Sequence, residues 1–159
     1  MHRTTLALSV VAAAGIAHAQ PSFRLLGDLP GGTFDSEALD VTDDGTTVVG
    51  RSRTATGTRA FRWTQAQGMR PLVPSLPAGF TSDEATDIDA DGDVIAGQLD
   101  GPGIRRMFYW TPARGMRIPV FRGGETESIG GSVSGDGVFV GGISVTPADS
   151  LAYRFRVST

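Results

Sequence analysis

Asp87, Asp89, Asp91 and Asp93 stand at alternate positions around Gly92 and are the densest cluster of hard oxygen donors in the chain. That pattern matches the opening of a calcium-binding loop, where closely spaced carboxylates and a glycine turn wrap a hard cation. The twelfth position of such a loop is Gln98, where a bidentate glutamate is required, and segments 41–46 and 133–138 lack most of the acids. Calcium is therefore a weak candidate beside a plainer reading, a solvated hairpin tip, and no cofactor is expected. Glu37 and Glu84 occupy equivalent places in a repeat and could form the carboxylate couple of a glycoside hydrolase, although the third copy has Ile129 there. Trp63, Trp110 and Phe155, with Phe61, Phe108 and Tyr153, could stack on sugar rings. Their recurrence at matching positions favours a core role instead.

Absent residue types restrict the chemistry further. Residues 1–19 read as a secretory signal peptide: His2 and Arg3 at the start, an apolar run from Leu6 to Ala17, and a small-x-small site at Ala17-His18-Ala19. Cleavage after Ala19 leaves a chain beginning at Gln20 that has no His, Cys, Lys or Asn. A His-based triad, a cysteine nucleophile, a lysine Schiff base and a His/Cys zinc site are all excluded. Removing the leader takes one arginine of 14 and no acid, so 13 arginines face 17 carboxylates at a net charge of −4. Such mild acidity does not attract nucleic acid or an anionic membrane, and no later apolar stretch is long enough to span a bilayer.

The strongest signal is internal repetition. Forty-seven residues separate Leu29-Pro30 from Leu76-Pro77, Glu37-Ala38 from Glu84-Ala85, Asp44-Gly45 from Asp91-Gly92, Trp63 from Trp110 and Gly68-Met69 from Gly115-Met116. A third copy follows at an offset of 45, with Val133, Asp136-Gly137, Gly142, Tyr153 and Phe155 in the matching places. The repeats run approximately over 29–75, 76–120 and 121–159 of a single domain, 20–159. Each reads as four short strands, for example 38–42, 46–52, 59–64 and 68–73, with no helical periodicity anywhere in the processed chain. The Asp-Gly pairs predict type I′ hairpin turns. Gly50, Gly97 and Gly142 predict close approach of the inner strands around an axis. Arg62, Tyr109 and Arg154 fall on the face opposite the aromatic residues, where a neighbouring repeat could pack.

The fold expected is all-β, three four-stranded antiparallel repeats arranged as β-propeller-like blades, with a β-trefoil as the alternative. The third copy lacks a Gly-Met fourth strand, while residues 23–29 stand in the register of a fourth strand with no first three. Strand 23–29 is therefore expected to complete the third repeat and hide its edge. Because propellers usually have four to eight blades, two chains could also supply a six-bladed ring as a homodimer.

Leu29-Pro30-Gly31-Gly32, Ala38 to Val41, Asp44-Gly45, Val48-Val49-Gly50, Ala60-Phe61-Arg62-Trp63 and Gly68-Met69 together resemble a repeat of the HAF family of extracellular repeat proteins. The resemblance covers essentially all of the processed chain. The histidine of the family's His-Ala-Phe tripeptide is replaced by Arg59, Arg106 or Leu151. It implies an exported, propeller-like protein, extracellular or periplasmic, and carries over no active site. Two functions follow as expectations: a non-enzymatic module binding a protein or polysaccharide, and a secreted carboxylate-dependent hydrolase acting on glycans.

Overall fold

The computed structural model describes residues 21–121 and 123–157; residues 1–19, read above as a signal peptide, lie outside them. Eleven strands and no helix occur among the described residues. The first repeat holds β1 (Ser36–Val41), β2 (Thr47–Thr54), β3 (Gly57–Thr64) and β4 (Gly68–Pro71). The second holds β5 (Ser82–Ile88), β6 (Ile95–Gly101), β7 (Ile104–Thr111) and β8 (Gly115–Arg117). The third holds β9 (Glu127–Val133), β10 (Phe139–Val145) and β11 (Ser150–Arg156). Neighbouring strands within each repeat pair antiparallel.

The repeats are not three separate sheets. β1 to β4 form one sheet, but β7 and β9 meet in parallel at Arg105 and Glu127, joining the second and third repeats. The reason lies in β8, whose three residues cover only Tyr109 to Thr111 of β7 and leave the Ile104 end of that edge open. Nor do residues 23–29 complete the third repeat. They form no strand, and Leu26 and Leu29 pack on Phe61 and Trp63 of the first repeat. Arg24 stacks over Trp63 at 5.3 Å, while Ser52 donates to Asp28 and accepts from the Leu29 amide. Leu29 thus takes on the first repeat the kind of place that its equivalent, Leu76, takes against the second.

Cross-strand register gives each sheet two faces. The rear face of the second repeat (Ala85, Ile88, Ile95, Leu99, Phe108) buries itself on the front face of the first (Val49, Ala60), with Leu72 between. Val94, Ala96, Met107 and Tyr109 of the second pack in turn on Val140, Tyr153 and Phe155 of the third. Phe61 and Phe108 are fully buried, so the aromatic ladder is core.

Two local expectations change. The Asp-Gly turns are not type I′, which needs positive φ at both central residues. Only the glycines Gly45, Gly92 and Gly137 have it. The loop is wider because Thr42, Asp89 and Ser134 each accept, through a side-chain oxygen, the amide five residues on. Gly50, Gly97 and Gly142 are demanded from within their own sheet. A methyl at Gly97 would lie 2.5 Å from the Phe108 ring and would strike the Glu84 carbonyl, and Gly50 and Gly142 stand likewise under Phe61 and Tyr153. Gly97→Ala is expected to lower stability by about 2–3 kcal/mol through overpacking. Urea unfolding measures this; a loss below about 0.5 kcal/mol, the range of an ordinary surface change, would contradict it.

Candidate functional site on the inner strands

The first strand of every repeat contains the same irregularity. Ala38 pairs with Gly50 but Asp40 with Val49, Ala85 with Gly97 but Asp87 with Ala96, and Gly130 with Gly142 but Ser132 with Gly141. One extra residue, Leu39, Thr86 or Gly131, is thus inserted in each inner strand. A β-bulge re-aims the residue beside it. Here it turns Asp40 and Asp87 onto the next repeat. The Ile88 amide donates to Asp40 Oδ2 at 2.8 Å, and the Val133 amide donates to Asp87 Oδ2 at 2.7 Å. Thr86 Oγ1 meanwhile donates to the carbonyl of the next bulge residue, Gly131, at 2.9 Å.

A second set of bonds runs the opposite way. Asp83 Oδ1 accepts the Ala60 amide at 3.0 Å and Arg59 Nε at 2.8 Å, and Ser128 Oγ, its equivalent, accepts the Met107 amide at 3.1 Å. Burial pushes the Asp83 carboxyl up, more strongly than the Ala60 amide and Arg59 hold it down.

Glu37 and Glu84 do come together, around a cation. Arg51 Nη2 lies 2.7 Å from Glu37 Oε2 and Nη1 lies 3.1 Å from Glu84 Oε2. An acid–base couple needs its two carboxyls in contrasting environments, whereas one guanidinium serves both of these. Arg51 has no counterpart in kind: Gln98 takes its place in the second repeat, donating to the Ser128 carbonyl at 3.2 Å, and Ile143 takes it in the third. A groove of about 320 Å³ opens here, bordered by Glu84, Asp87, Gln98 and Ile129.

The four calcium candidates do not converge. Asp87 faces the third repeat, Asp89 folds onto the amides of Asp93 and Val94 in its own turn, and Asp91 and Asp93 are exposed. Among the described residues no three acidic side chains group as metal ligands do. The acids that matter are Asp40 and Asp87, which sequence spacing marks only as equivalent. Burial pushes Asp87 up to about 6, helped by the hydrogen bond and charge of Asp40 and opposed by the Val133 and Ile88 amides. At Asp40 burial acts upward too, but bonds from Asp87 and from the Ile88 and Val41 amides outweigh it and leave that carboxyl below its usual value.

The described chain is similar in fold to two solved structures. TolB from Acinetobacter baumannii matches with a TM-score of 0.58 at 11% identity, over 84% of this chain and 32% of that one. A TolB candidate from Agrobacterium tumefaciens matches with a TM-score of 0.60 at 15% identity, over 82% of this chain and 46% of that one. The chain thus spans about a third and just under half of their lengths. The architecture they share with it is a β-propeller's rather than a trefoil's. No protein-family model matches the chain, and no curated protein does.

The raised Asp87 carboxyl sets a pH dependence. Between its unfolded value of 3.8 and about 6, the folded state holds the extra proton, so this group's contribution to stability falls as pH rises through that window. Asp40 acts oppositely, its contribution being lost as pH falls below the ordinary carboxylate range. Asp87→Asn keeps an acceptor for Val133 and a donor for Asp40 without the second charge. Near pH 7.5 it should be more stable than the parent by about 1 kcal/mol, allowing for solvent screening of a half-buried group, with the difference shrinking towards pH 5. Parallel urea-midpoint profiles for the two proteins would contradict this.

Proposed function

We propose that this chain is an exported, non-enzymatic, propeller-type repeat module of HAF kind that binds protein. The observation carrying this reading is the state of its sheet faces. The kinds of surface that seal one repeat to the next lie open along β1 at the rear of the first repeat, beside the part that Leu26 and Leu29 cover, and at the front of the third. Val41 is 50% exposed where its equivalent Ile88 is 6%, and Ile143 is 44% exposed where Gln98 is 6%. Faces that bury apolar area well, left uncovered and rimmed with polar groups, are those that bind other polypeptides. The repeated aromatic residues that could have stacked on sugars do not offer open platforms, since Phe61, Phe108 and Trp63 are buried. The hydrolase alternative is disfavoured by the commitment of Glu37 and Glu84 to Arg51.

Export to an extracellular or periplasmic location is part of the same reading, supported by the charge, apolar run and cleavage site of residues 1–19. N-terminal sequencing of the protein recovered outside the cytoplasm should begin at Gln20; recovery only of intact, cell-retained chain would contradict export. Against generic glycosides from pH 4 to 8 the purified protein should show no turnover. Glu84→Gln should cost only about 0.5–1 kcal/mol of stability, as loosening an exposed ion pair does. Turnover that Glu37→Gln or Glu84→Gln abolishes while the fold survives would establish the hydrolase instead.

A further inference from the structure

The two open faces are halves of one contact that the chain already makes twice. We infer that a second copy of this chain occupies them: the front of one copy's third repeat packs on the rear of the other's first repeat, reciprocally, closing a ring of six repeats. The inference rests on the protein-binding reading above and names its partner.

Residues in the first strand supply the first argument. At three rear-face positions the first repeat carries Ser36, Ala38 and Val41, all exposed. At the same positions the second carries Asp83, Ala85 and Ile88, which are 1%, 0% and 6% exposed because the first sheet covers them. In the third, Ser128 is likewise fully buried. The hairpin tips agree. A side chain added at Gly92 would meet Thr42 and one at Gly137 would meet Asp89, each in the preceding repeat. At Gly45, among the described residues, it would meet nothing. The front faces repeat the lesson in reverse, since Ala60 and Met107 are fully buried while Ala152, their equivalent in β11, is exposed.

The polar halves match as well. Asp83 accepts from the Ala60 amide and Ser128 from the Met107 amide. The next terms of that series are the Ala152 amide and the Ser36 hydroxyl, which in a single chain stand at opposite ends. Ser36 Oγ bonds only locally, to the Gly27 carbonyl at 2.8 Å. Ile129 and Ile143 on the third sheet's front face replace the Glu84 and Arg51–Gln98 positions, so this junction is more apolar than the internal ones. The 540 Å³ cleft between residues 23–29 and the first sheet, with Ala38 in its wall, gives room for an incoming sheet. A head-to-tail contact either closes a ring or runs on as a filament. Twice three blade-like repeats falls within the four to eight that close a propeller.

Light scattering on the naturally processed chain, at about 10 µM, a concentration that populates micromolar complexes, should give twice the chain mass. Ala38→Arg and Ile143→Asp alter residues exposed in the single chain, so circular dichroism should be unchanged while each protein falls to the single-chain mass. Mixing the two variants leaves one junction with both parental residues, and should restore two-chain particles. A single-chain mass for the parent, a dimer indifferent to both substitutions, or masses climbing past two chains would each overturn the closed ring. A single-chain result removes the second copy as occupant but leaves the turnover and export measurements above to decide the broader reading.

Discussion

One extra residue in each inner strand governs how this chain is put together. The bulges at Leu39 and Thr86 turn the Asp40 and Asp87 side chains away from their own repeats and onto the Ile88 and Val133 amides of the next. Apolar packing alone would let neighbouring sheets slide, because contact between flat faces is not directional. A charged acceptor on a backbone amide is directional and about twice as strong as a neutral bond. The reverse bonds, Ala60 to Asp83 and Met107 to Ser128, fix the outer part of the same junction. Between these two polar pins lies the apolar layer of Val49, Ala60 and Phe108, or of Ala96, Met107 and Tyr153.

That device has a cost. Asp40 and Asp87 are brought close enough to interact, and burial makes the second negative charge unfavourable, so Asp87 holds its proton to about 6. The third repeat avoids the conflict by placing Ser132 at that position. Gly130 and Gly131 there replace Ala-Thr, and both carry φ values, 139° and 155°, that side chains rarely adopt. Its inner strand is therefore the least conventional of the three. It is also the one whose front face stays open.

Much of this architecture is legible in the amino-acid sequence. The offsets of 47 and 45, the Asp-Gly tips and the aromatic residue 18 positions beyond each glycine report sheet, turn and core, because those features depend on local chemistry repeated in register. The placement of Tyr109 on the face opposite Phe108, ready to meet the next repeat, is equally readable from alternation. The bulges are not, since Leu39, Thr86 and Gly131 share no side-chain property and only the pairing register exposes them. The partnership of Arg51 with Glu37 and Glu84 is hidden for a related reason: its equivalents, Gln98 and Ile143, differ in kind. Residues 23–29 are correctly in register with 70–76, yet register says which surface a segment resembles, not which strand it can reach. The glycines at 50, 97 and 142 signal crowding by the inner strand, whose Glu37, Glu84 and Ile129 carbonyls stand nearest; the ring overhead that adds to it is not readable from the glycine alone.

The chemistry of the inner strands is spent on joining one repeat to the next. The claim beneath all of this is that the Asp40 and Asp87 bonds lock consecutive repeats. Amide hydrogen exchange, read residue by residue, tests it most directly. Ile88 and Val133 should exchange as slowly as the central-strand amide of Ile95; Asp40→Ala should speed Ile88, which keeps a bond of 3.1 Å to Asp87 Oδ1, and leave Val133 slow, while Asp87→Ala should release Val133. Fast exchange at Ile88 and Val133 in the unaltered protein, or protection that survives both substitutions, would contradict it.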